Sequence, residues 1–297
     1  MQLCLGTVQF GMDYGVQGQK RPEPEAVFRI LDTAIQEGVR ALDTAAAYGE
    51  AEAVLGAFLQ RKTFPRAGLE IVSKLAPTAL DGASPEQYKR VIRRHVEDSL
   101  RRLHTDYLDG YLLHDARYVS DPQVIEALDS LRREGLAGKV GASVYEVEEA
   151  RQNMAAPALT LMQLPYSLLD QRMKEGDVFR EAIEKDTQIH CRSVFTQGLV
   201  LMQEDALPPY LQKAAPVLRK LDAFCCQYGL SREEIAMAYV KQEKAISHLV
   251  FGVDNLEQLR ANIALFQQEP PTEILAEIGP RFANLAPEIV VPKLWKK

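Results

Sequence analysis

Short apolar segments alternate with amphipathic segments along most of the chain. Eight segments are apolar almost throughout, as is typical of parallel strands covered on both faces: Leu3–Thr7, Val39–Thr44, Leu69–Lys74, Tyr107–His114, Lys139–Val144, Leu159–Leu164, Gln188–Phe195 and Ser247–Val253. Between them, apolar residues at helical spacing predict helices at residues 24–37, 50–61, 85–103, 121–134, 145–154, 173–185, 213–228, 231–243 and 255–267. The pattern predicts a strand–helix unit that repeats eight times.

Residues that begin and end helices support these assignments. Ser84 and Ser231 are each followed three residues later by Gln or Glu, the pattern of a capping box at a helix N-terminus. Gly38 and Gly135 stand just past predicted helices, where glycine commonly ends a helix.

Eight such units predict a (β/α)8 barrel of the TIM type, which typically needs about 250 residues. A doubly wound sheet for dinucleotide binding would place a GxGxxG turn after its first strand, and the sequence has none there. No linker or low-complexity tract interrupts the series. We therefore expect residues 1–297 to form one domain, with a C-terminal tail from about residue 268 packed outside the barrel.

Composition narrows the class of protein. Apolar residues make up 46% of the chain and charged residues 26%, which excludes a largely disordered protein. With 35 Lys and Arg against 41 Asp and Glu, the net charge is −6, so no basic surface is expected to hold a nucleic acid. The apolar segments are far shorter than the ~18 residues of a membrane span. We expect a small-molecule partner, and neither nucleic acid nor membrane.

Met1 is followed by Gln2-Leu3-Cys4-Leu5, with no basic segment and no apolar stretch of signal-peptide type. The four cysteines have neither metal-site nor disulfide-framework spacing. We therefore expect a reduced, cytoplasmic protein without a bound metal. The sequence leaves the oligomeric state open.

Ionisable residues end three consecutive predicted strands. Asp43, Lys74 and His114 stand at the ends of strands 2, 3 and 4, and Tyr48 follows Asp43 by five residues. Active sites of such barrels lie at the C-terminal ends of the strands, so these four side chains should meet there.

Taken singly, these residues have ordinary structural explanations, such as a helix cap for Asp43 or a surface position for Lys74. Together these four side chains form an arrangement that suits proton transfer. A buried ammonium and carboxylate must be paired, and the ammonium lowers the pKa of a neighbouring phenol toward the range of proton transfer. A neutral imidazole can orient a carbonyl oxygen. The group suits carbonyl reduction, with hydride supplied by a cofactor.

These four residues, in the segments LDTAAAYG, IVSKL and YLLHD, resemble the catalytic tetrad of the aldo-keto reductase superfamily. The resemblance runs from LGTVQFG near the N-terminus to the segment FGVDNLEQLRANI. It implies that Tyr48 is the general acid, Lys74 its pKa-lowering partner, Asp43 the counter-ion of Lys74, and His114 the group that orients the carbonyl. It also implies NAD(P)H-dependent reduction of aldehydes or ketones without a metal.

The same resemblance implies a set of cofactor-binding residues at strand ends and in the following loops: Gly6, Thr7, Asp43, Ser143, Gln163, Arg192, Ser193, Phe195, Gln197, Gly198, Leu199, Gly252, Gln258 and Asn262. Arg192 departs from the family, which commonly has a tyrosine there that stacks on the nicotinamide. Its guanidinium can stack on the ring or contact an anionic substrate. NADP(H) is favoured over NAD(H) only as the family's usual cofactor, because Gly252 stands where some members have a phosphate-binding lysine.

Loop residues should select the substrate, and the candidates are Gln9, Phe10, Met12, Tyr14, Ala47, Tyr118, Tyr145, Tyr166 and Trp295. The short tail predicts an open pocket and a polar, sugar-like carbonyl substrate. Two alternatives remain. One is a nucleotide-binding barrel that serves as a redox sensor or regulatory subunit. The other is an aldolase that forms a Schiff base on Lys74.

Overall fold

Eight parallel strands close into a barrel in the computed structural model, which describes residues 1–16, 18–269 and 272–295. The strands are β1 (Gln2–Gly6), β2 (Ala41–Asp43), β3 (Glu70–Leu75), β4 (Leu108–Leu113), β5 (Ala137–Ser143), β6 (Leu161–Pro165), β7 (Gln188–Arg192) and β8 (Ile246–Gly252). Each strand pairs with the next in the chain, and β8 pairs with β1. The predicted (β/α)8 barrel is confirmed.

Helices follow the strands along the chain and surround the barrel. They are α1 (Val8–Gly11), α2 (Pro24–Gln36), α3 (Ala51–Gln60), α4 (Pro85–Leu103), α5 (Pro122–Arg133), α6 (Val147–Ala155), α7 (Arg172–Glu175), α8 (Val178–Glu184), α9 (Ala215–Tyr228), α10 (Arg232–Lys241), α11 (Leu256–Gln267), α12 (Thr272–Arg281) and α13 (Pro287–Val290). The capping boxes at Ser84 and Ser231 are present, and Gly38 and Gly135 have φ of 93° and 76°.

Two predicted elements differ from the structure because of left-handed backbone. The helix predicted at 173–185 is divided into α7 and α8, because Asp177 between them has φ of 63°. The seventh strand, predicted to reach Phe195, ends at Arg192 because Ser193 has φ of 69°. Residues other than glycine seldom adopt this conformation, so neither break is visible in the residue types.

The barrel interior is a packed core of buried side chains. Side chains alternate along each strand, so Val72 and Leu112 point inward two residues before Lys74 and His114. Two buried apolar groups fill the interior: Cys4 with Ala41 and Val250, and Val72 with Leu112 and Leu161. All four cysteines lie within the described residues and are free thiols.

The C-terminal tail packs on the outside of the barrel and then returns to the end where the strands finish. The Gln171 side-chain nitrogen donates to the carbonyl oxygen of Gly279 in α12, at 2.9 Å. Further on, the Trp295 indole donates to the Ile289 carbonyl oxygen at 3.2 Å, and Lys293 Nζ lies 3.7 Å from the ring centroid of Tyr145. In the part of the chain described above, no helix is both long enough and apolar enough to cross a lipid bilayer.

Candidate active site

The barrel brings Asp43, Lys74, His114 and Tyr48 together at the C-terminal ends of neighbouring strands. Asp43 ends β2, Lys74 is the fifth residue of β3, and His114 directly follows β4. The loop after β2 continues along β3, since the amide of Ala46 donates to the carbonyl oxygen of Lys74 at 3.2 Å. This pairing directs Tyr48 back over the strand ends.

Lys74 makes a fully buried ion pair with Asp43. Its Nζ donates to Oδ1 and Oδ2 of Asp43 at 2.8 and 2.7 Å, and to the carbonyl oxygen of Thr44 at 2.8 Å. The Tyr48 hydroxyl lies 3.4 Å from the same Nζ. Lys74 is 0% exposed and Asp43 is 3% exposed. The Asp43 carboxylate also accepts a 2.7 Å hydrogen bond from the side-chain nitrogen of Gln163.

The ion pair keeps Lys74 charged. Burial by itself lowers the pKa of Lys74, but the attraction of Asp43 and its hydrogen bonds outweigh burial, so the pKa is raised. The lysine is therefore held as an ammonium ion whose hydrogen atoms are directed at oxygen atoms.

The pKa of Tyr48 is raised above its ordinary value, so the expectation of a lowered pKa is wrong. Burial is the largest effect and raises it; Lys74 acts in the opposite direction but does not outweigh burial. Tyr48 consequently carries its proton at neutral pH. Its hydroxyl remains beside an ammonium that would stabilise a phenolate.

His114 lies against Tyr48 as a neutral imidazole. The two rings meet edge to face, with centroids 5.5 Å apart and an interplanar angle of 86°. Burial, together with the nearby Lys74 ammonium, lowers the pKa of His114 to about 3. Among the described residues, nothing bonds its buried Nδ1.

This lowered pKa predicts a loss of stability in acid. In the unfolded chain the pKa of histidine is ~6.5. Between about pH 6.5 and pH 3 the unfolded state therefore binds a proton at His114 that the folded state does not bind. Stability therefore falls as the pH drops below ~6.5 and is unaffected by this group above that value. We expect His114→Gln to lose about 2 kcal/mol less stability than the parent between pH 7 and pH 5.

Urea unfolding midpoints at the two pH values measure this difference. Burial also lowers the pKa of His248, to about 4, but His248 is present in both proteins and its effect cancels. Equal losses in the two proteins would contradict a neutral imidazole at His114.

Several predicted cofactor residues lie around the same rim. Thr7, directly after β1 and Gly6, donates to the Asp43 carbonyl oxygen from its backbone nitrogen and its Oγ1, at 2.9 and 3.0 Å. Ser143 and Gln163 are partners in the register of β5 and β6, and both are buried. In this structure the Gln163 amide nitrogen is directed at Asp43.

The loop after β7 holds an unusual series of positive φ angles. Ser193, Thr196, Gln197 and Gly198 have φ of 69°, 49°, 53° and 93°. Such a backbone directs successive amide groups to one side and is often found where an anion binds. The side chain of Leu199, at the end of this series, is fully buried, so only its backbone is available to a ligand. Phe195 is half-buried against the core.

The remaining predicted residues lie at β8 and α11. Gly252 ends β8, and a Cβ atom there would overlap the Gln9 side chain. Gln258 Oε1 accepts a 2.7 Å hydrogen bond from the backbone nitrogen of Asp254, so this side chain contacts the loop that leads into α11. Asn262 lies one turn further along α11.

Comparison with known proteins decides the family. The model of the aldo/keto reductase family matches residues 2–279. This chain belongs to the aldo/keto reductase family. Its relatives include the uncharacterized oxidoreductase YrpG of Bacillus subtilis, 25% identical, with 99% of this chain and 96% of YrpG covered. D-arabinose 1-dehydrogenase of Saccharomyces cerevisiae is 27% identical, with 82% and 77% covered. The holo form of an aldo-keto reductase from Bacillus halodurans has the same fold, with a TM-score of 0.78 at 23% identity over 99% and 95% of the two chains.

The aldo/keto reductase family and its oxidoreductase relatives place this chain among nicotinamide-dependent oxidoreductases. The mouth of the barrel also holds Lys293, a residue that sequence reasoning missed. Arg192 Cζ lies 4.0 Å from the ring centroid of Tyr145, and Lys293 Nζ also lies over that ring. The Arg192 guanidinium is further held by the Val144 carbonyl oxygen at 3.1 Å. Nothing in the sequence near Lys293 indicates that the tail returns here.

Three of the residues predicted to select the substrate are buried in the core of the protein instead. Phe10 and Tyr166 are fully buried, and the Tyr166 ring packs against Phe179 with centroids 4.9 Å apart. Trp295 is buried within the tail. Tyr14 remains close to the tetrad: burial raises its pKa to about 12, and Tyr48 and Arg192 act on it.

Proposed function

We propose that this protein reduces the carbonyl group of an aldehyde or ketone to an alcohol with NAD(P)H, and that Tyr48 supplies the proton. The observation that carries the proposal is the buried Lys74 ammonium, bonded to both Asp43 oxygens and 3.4 Å from the Tyr48 hydroxyl. The cofactor, when bound, supplies hydride to the carbonyl carbon. The side chains have the complementary task of handling charge at the oxygen.

A general acid must hold its proton before the reaction and release it as negative charge develops on the substrate. The raised pKa of Tyr48, caused mainly by burial, meets the first requirement. The Lys74 ammonium meets the second, because it stabilises the phenolate more than the phenol. Asp43 and the Thr44 carbonyl oxygen hold this ammonium in place, so no rearrangement is needed when the proton leaves.

We assign His114 to orienting the carbonyl. Its pKa of about 3 keeps the imidazole neutral, so it can donate one hydrogen bond without competing with Tyr48 as an acid. The edge-to-face contact with Tyr48 places both polar groups at one side of the mouth. A carbonyl oxygen bonded by both would be polarised for reduction.

The residues around the mouth fit a dinucleotide cofactor. Buried Ser143 and Gln163 offer hydroxyl and amide groups for a carboxamide, and the loop at residues 193–198, with its four positive φ angles, offers amide groups for a pyrophosphate. The N-terminus of α11, capped by Asn255, is a second anion-favouring end. We propose NADP(H) in preference to NAD(H), in line with the family's usual cofactor.

For the substrate we propose a small, polar, sugar-like carbonyl compound. Arg192 and Lys293 supply two cationic groups beside Tyr145 at the mouth, where a polar substrate would be better accommodated than a bulky apolar one. The yeast relative is named for a sugar, D-arabinose. Turnover of a steroid, with none of polar carbonyl compounds, would contradict this part of the proposal.

One set of measurements distinguishes carbonyl reduction from the two alternatives, a regulatory nucleotide-binding barrel and a Schiff-base aldolase. Fluorescence titrations with NADPH and NADH test cofactor binding, and a panel of aldehydes and ketones followed at the nicotinamide absorbance band tests turnover. A regulatory barrel would bind cofactor without turnover. An aldolase would retain substrate on Lys74 after borohydride treatment, but the Asp43 carboxylate holds that lysine charged and poorly nucleophilic.

A further inference from the structure

A second cluster of ionisable side chains lies at the opposite end of the barrel from the active site. Glu70 begins β3, His190 is the third residue of β7, and His248 is the third residue of β8. His190 Nε2 lies 3.5 Å from Glu70 Oε1, and His248 Nε2 lies 3.4 Å from Glu70 Oε2. The proposed carbonyl reduction uses none of the three.

The two histidines are buried and only partly satisfied. His190 is 0% exposed and His248 is 5% exposed. His190 Nδ1 and His248 Nε2 have no hydrogen-bond partner within the described ranges of the chain. Burying such a nitrogen without a partner costs free energy. His190 turns its Nε2 toward Glu70, so its unpartnered Nδ1 lies on the other side of the ring, whereas the unpartnered His248 Nε2 faces the carboxylate and is open to a ligand there.

We propose that Glu70, His190 and His248 bind one divalent first-row transition-metal ion, of which Zn²⁺ is the best probe. One ligand atom from each residue lies within 4.8 Å of the other two. In a tetrahedral zinc site with bonds of about 2.1 Å, neighbouring ligand atoms are about 3.4 Å apart. The separations of 3.5 Å from His190 Nε2 to Glu70 Oε1 and 3.4 Å from His248 Nε2 to Glu70 Oε2 are close to this value.

The residue types favour such an ion over Mg²⁺ or Ca²⁺. Two imidazoles and one carboxylate suit zinc, cobalt, nickel and iron, whereas Mg²⁺ and Ca²⁺ prefer all-oxygen sites. Three protein ligands leave a further position for water. The Glu70 side chain is 33% exposed, which gives the ion a path from solvent.

Ser247 supplies an outer partner of the kind that orients metal-binding imidazoles. Ser247 Oγ lies 3.1 Å from His248 Nδ1 and donates its own proton to the Ile189 carbonyl oxygen at 2.7 Å. The Gln188 side-chain nitrogen lies 3.1 Å from His190 Nε2 and 3.2 Å from His248 Nδ1, so this amide has to turn away from His190 Nε2 when that nitrogen binds the ion.

Two cations oppose the site, Lys139 and the N-terminal ammonium of Met1, because both repel positive charge at His248. Lys139 Nζ donates to Gln188 Oε1, so its ammonium stays near the cluster. Repulsion by the Lys139 ammonium weakens metal binding. The hydrogen bond of this ammonium goes to the Gln188 amide, and the Glu70 carboxylate remains in contact with the imidazoles.

A bound ion would connect β3 to β7 and β8, which are not its neighbours in the barrel. Because the site lies at the end of β3 away from Lys74, its expected effect is on stability rather than on the chemistry at Tyr48. An ion that binds only the folded protein raises Tm by mass action.

The test uses the full chain after removal of metals with EDTA. Thermal unfolding is measured with and without ZnCl₂, and Co²⁺ is titrated while its visible d–d absorption is followed. At Zn²⁺ concentrations 100-fold above Kd we expect Tm to rise by about 4 °C. Co²⁺ should give an intense visible spectrum that saturates at one ion per chain, because a low-coordinate site intensifies these bands.

Glu70→Gln is the main variant, since it preserves shape at a partly exposed position, and His248→Gln is the second. Each should raise Kd at least about tenfold, the loss that even an outer partner of a ligand can cause. His95→Gln, at a partly exposed histidine on α4, is the matched control and should bind like the parent.

No Tm shift and no Co²⁺ spectrum in the parent protein would overturn the proposal, as would unchanged binding in folded Glu70→Gln. The outcome is independent of the proposed reductase activity, because neither measurement uses a cofactor or a carbonyl substrate.

Discussion

Replacing Tyr48 with Phe is expected to lower kcat for carbonyl reduction by about 10²–10⁴-fold, the usual contribution of a general acid. The substitution removes only the hydroxyl, which lies 3.4 Å from Lys74 Nζ. The Lys74–Asp43 ion pair and the ring contact with His114 remain. Cofactor affinity, measured by fluorescence titration, should therefore stay close to that of the parent, while steady-state kinetics show the loss in kcat.

Tyr107→Phe is the matched control. Tyr107 directly precedes β4, at the end of the barrel away from the tetrad, so removing its hydroxyl should leave kcat unchanged. Reduction of aldehydes by Tyr48→Phe at nearly the parent rate would show that another group donates the proton.

Replacing Lys74 with Met is expected to abolish activity at neutral pH and also to destabilise the fold. Removing one partner of a buried ion pair typically costs about 3–5 kcal/mol, because the other charge is left uncompensated. Here that charge is Asp43, which is 3% exposed and, among the described residues, would keep only the hydrogen bond from Gln163. The pKa of the Tyr48 phenol should rise further, since the ammonium is the main influence that lowers it.

A double variant separates stability from catalysis. Asp43→Asn combined with Lys74→Met removes both charges and keeps an acceptor for Gln163, so urea unfolding should show recovery of much of the lost stability. Activity should not return, because no cation remains beside Tyr48. Residual activity of the single variant with an unchanged pH–rate profile would contradict the assigned pairing.

Strand-end positions made the tetrad predictable. Asp43, Lys74 and His114 end consecutive apolar segments, and consecutive strands of a (β/α)8 barrel are neighbours, so their sequence order implies their spatial order. The prediction about the pKa of Tyr48 failed for a physical reason. It counted the attraction of Lys74, which sequence order reveals, but not burial, which depends on everything packed around the ring.

Backbone geometry accounts for the errors in element boundaries. Asp177 and Ser193 adopt left-handed φ angles that their residue types do not require. The loop after β7 consequently begins three residues earlier than predicted, and the positive φ angles from Ser193 to Gly198 became visible only in the structure. Long-range packing, rather than local preference, maintains such conformations.

The amino-acid sequence by itself determined the eightfold alternation of strands and helices and the order of the ionisable strand ends, because both follow from local patterns and from the rule that consecutive strands are adjacent. The tertiary structure decided the interactions between distant segments. Closure of the barrel brings Glu70 to His190 and His248, and the folding back of the tail brings Lys293 to Tyr145. More than a hundred residues separate these partners along the chain. Their contacts arise from the barrel register and from packing against its exterior, which no local pattern encodes.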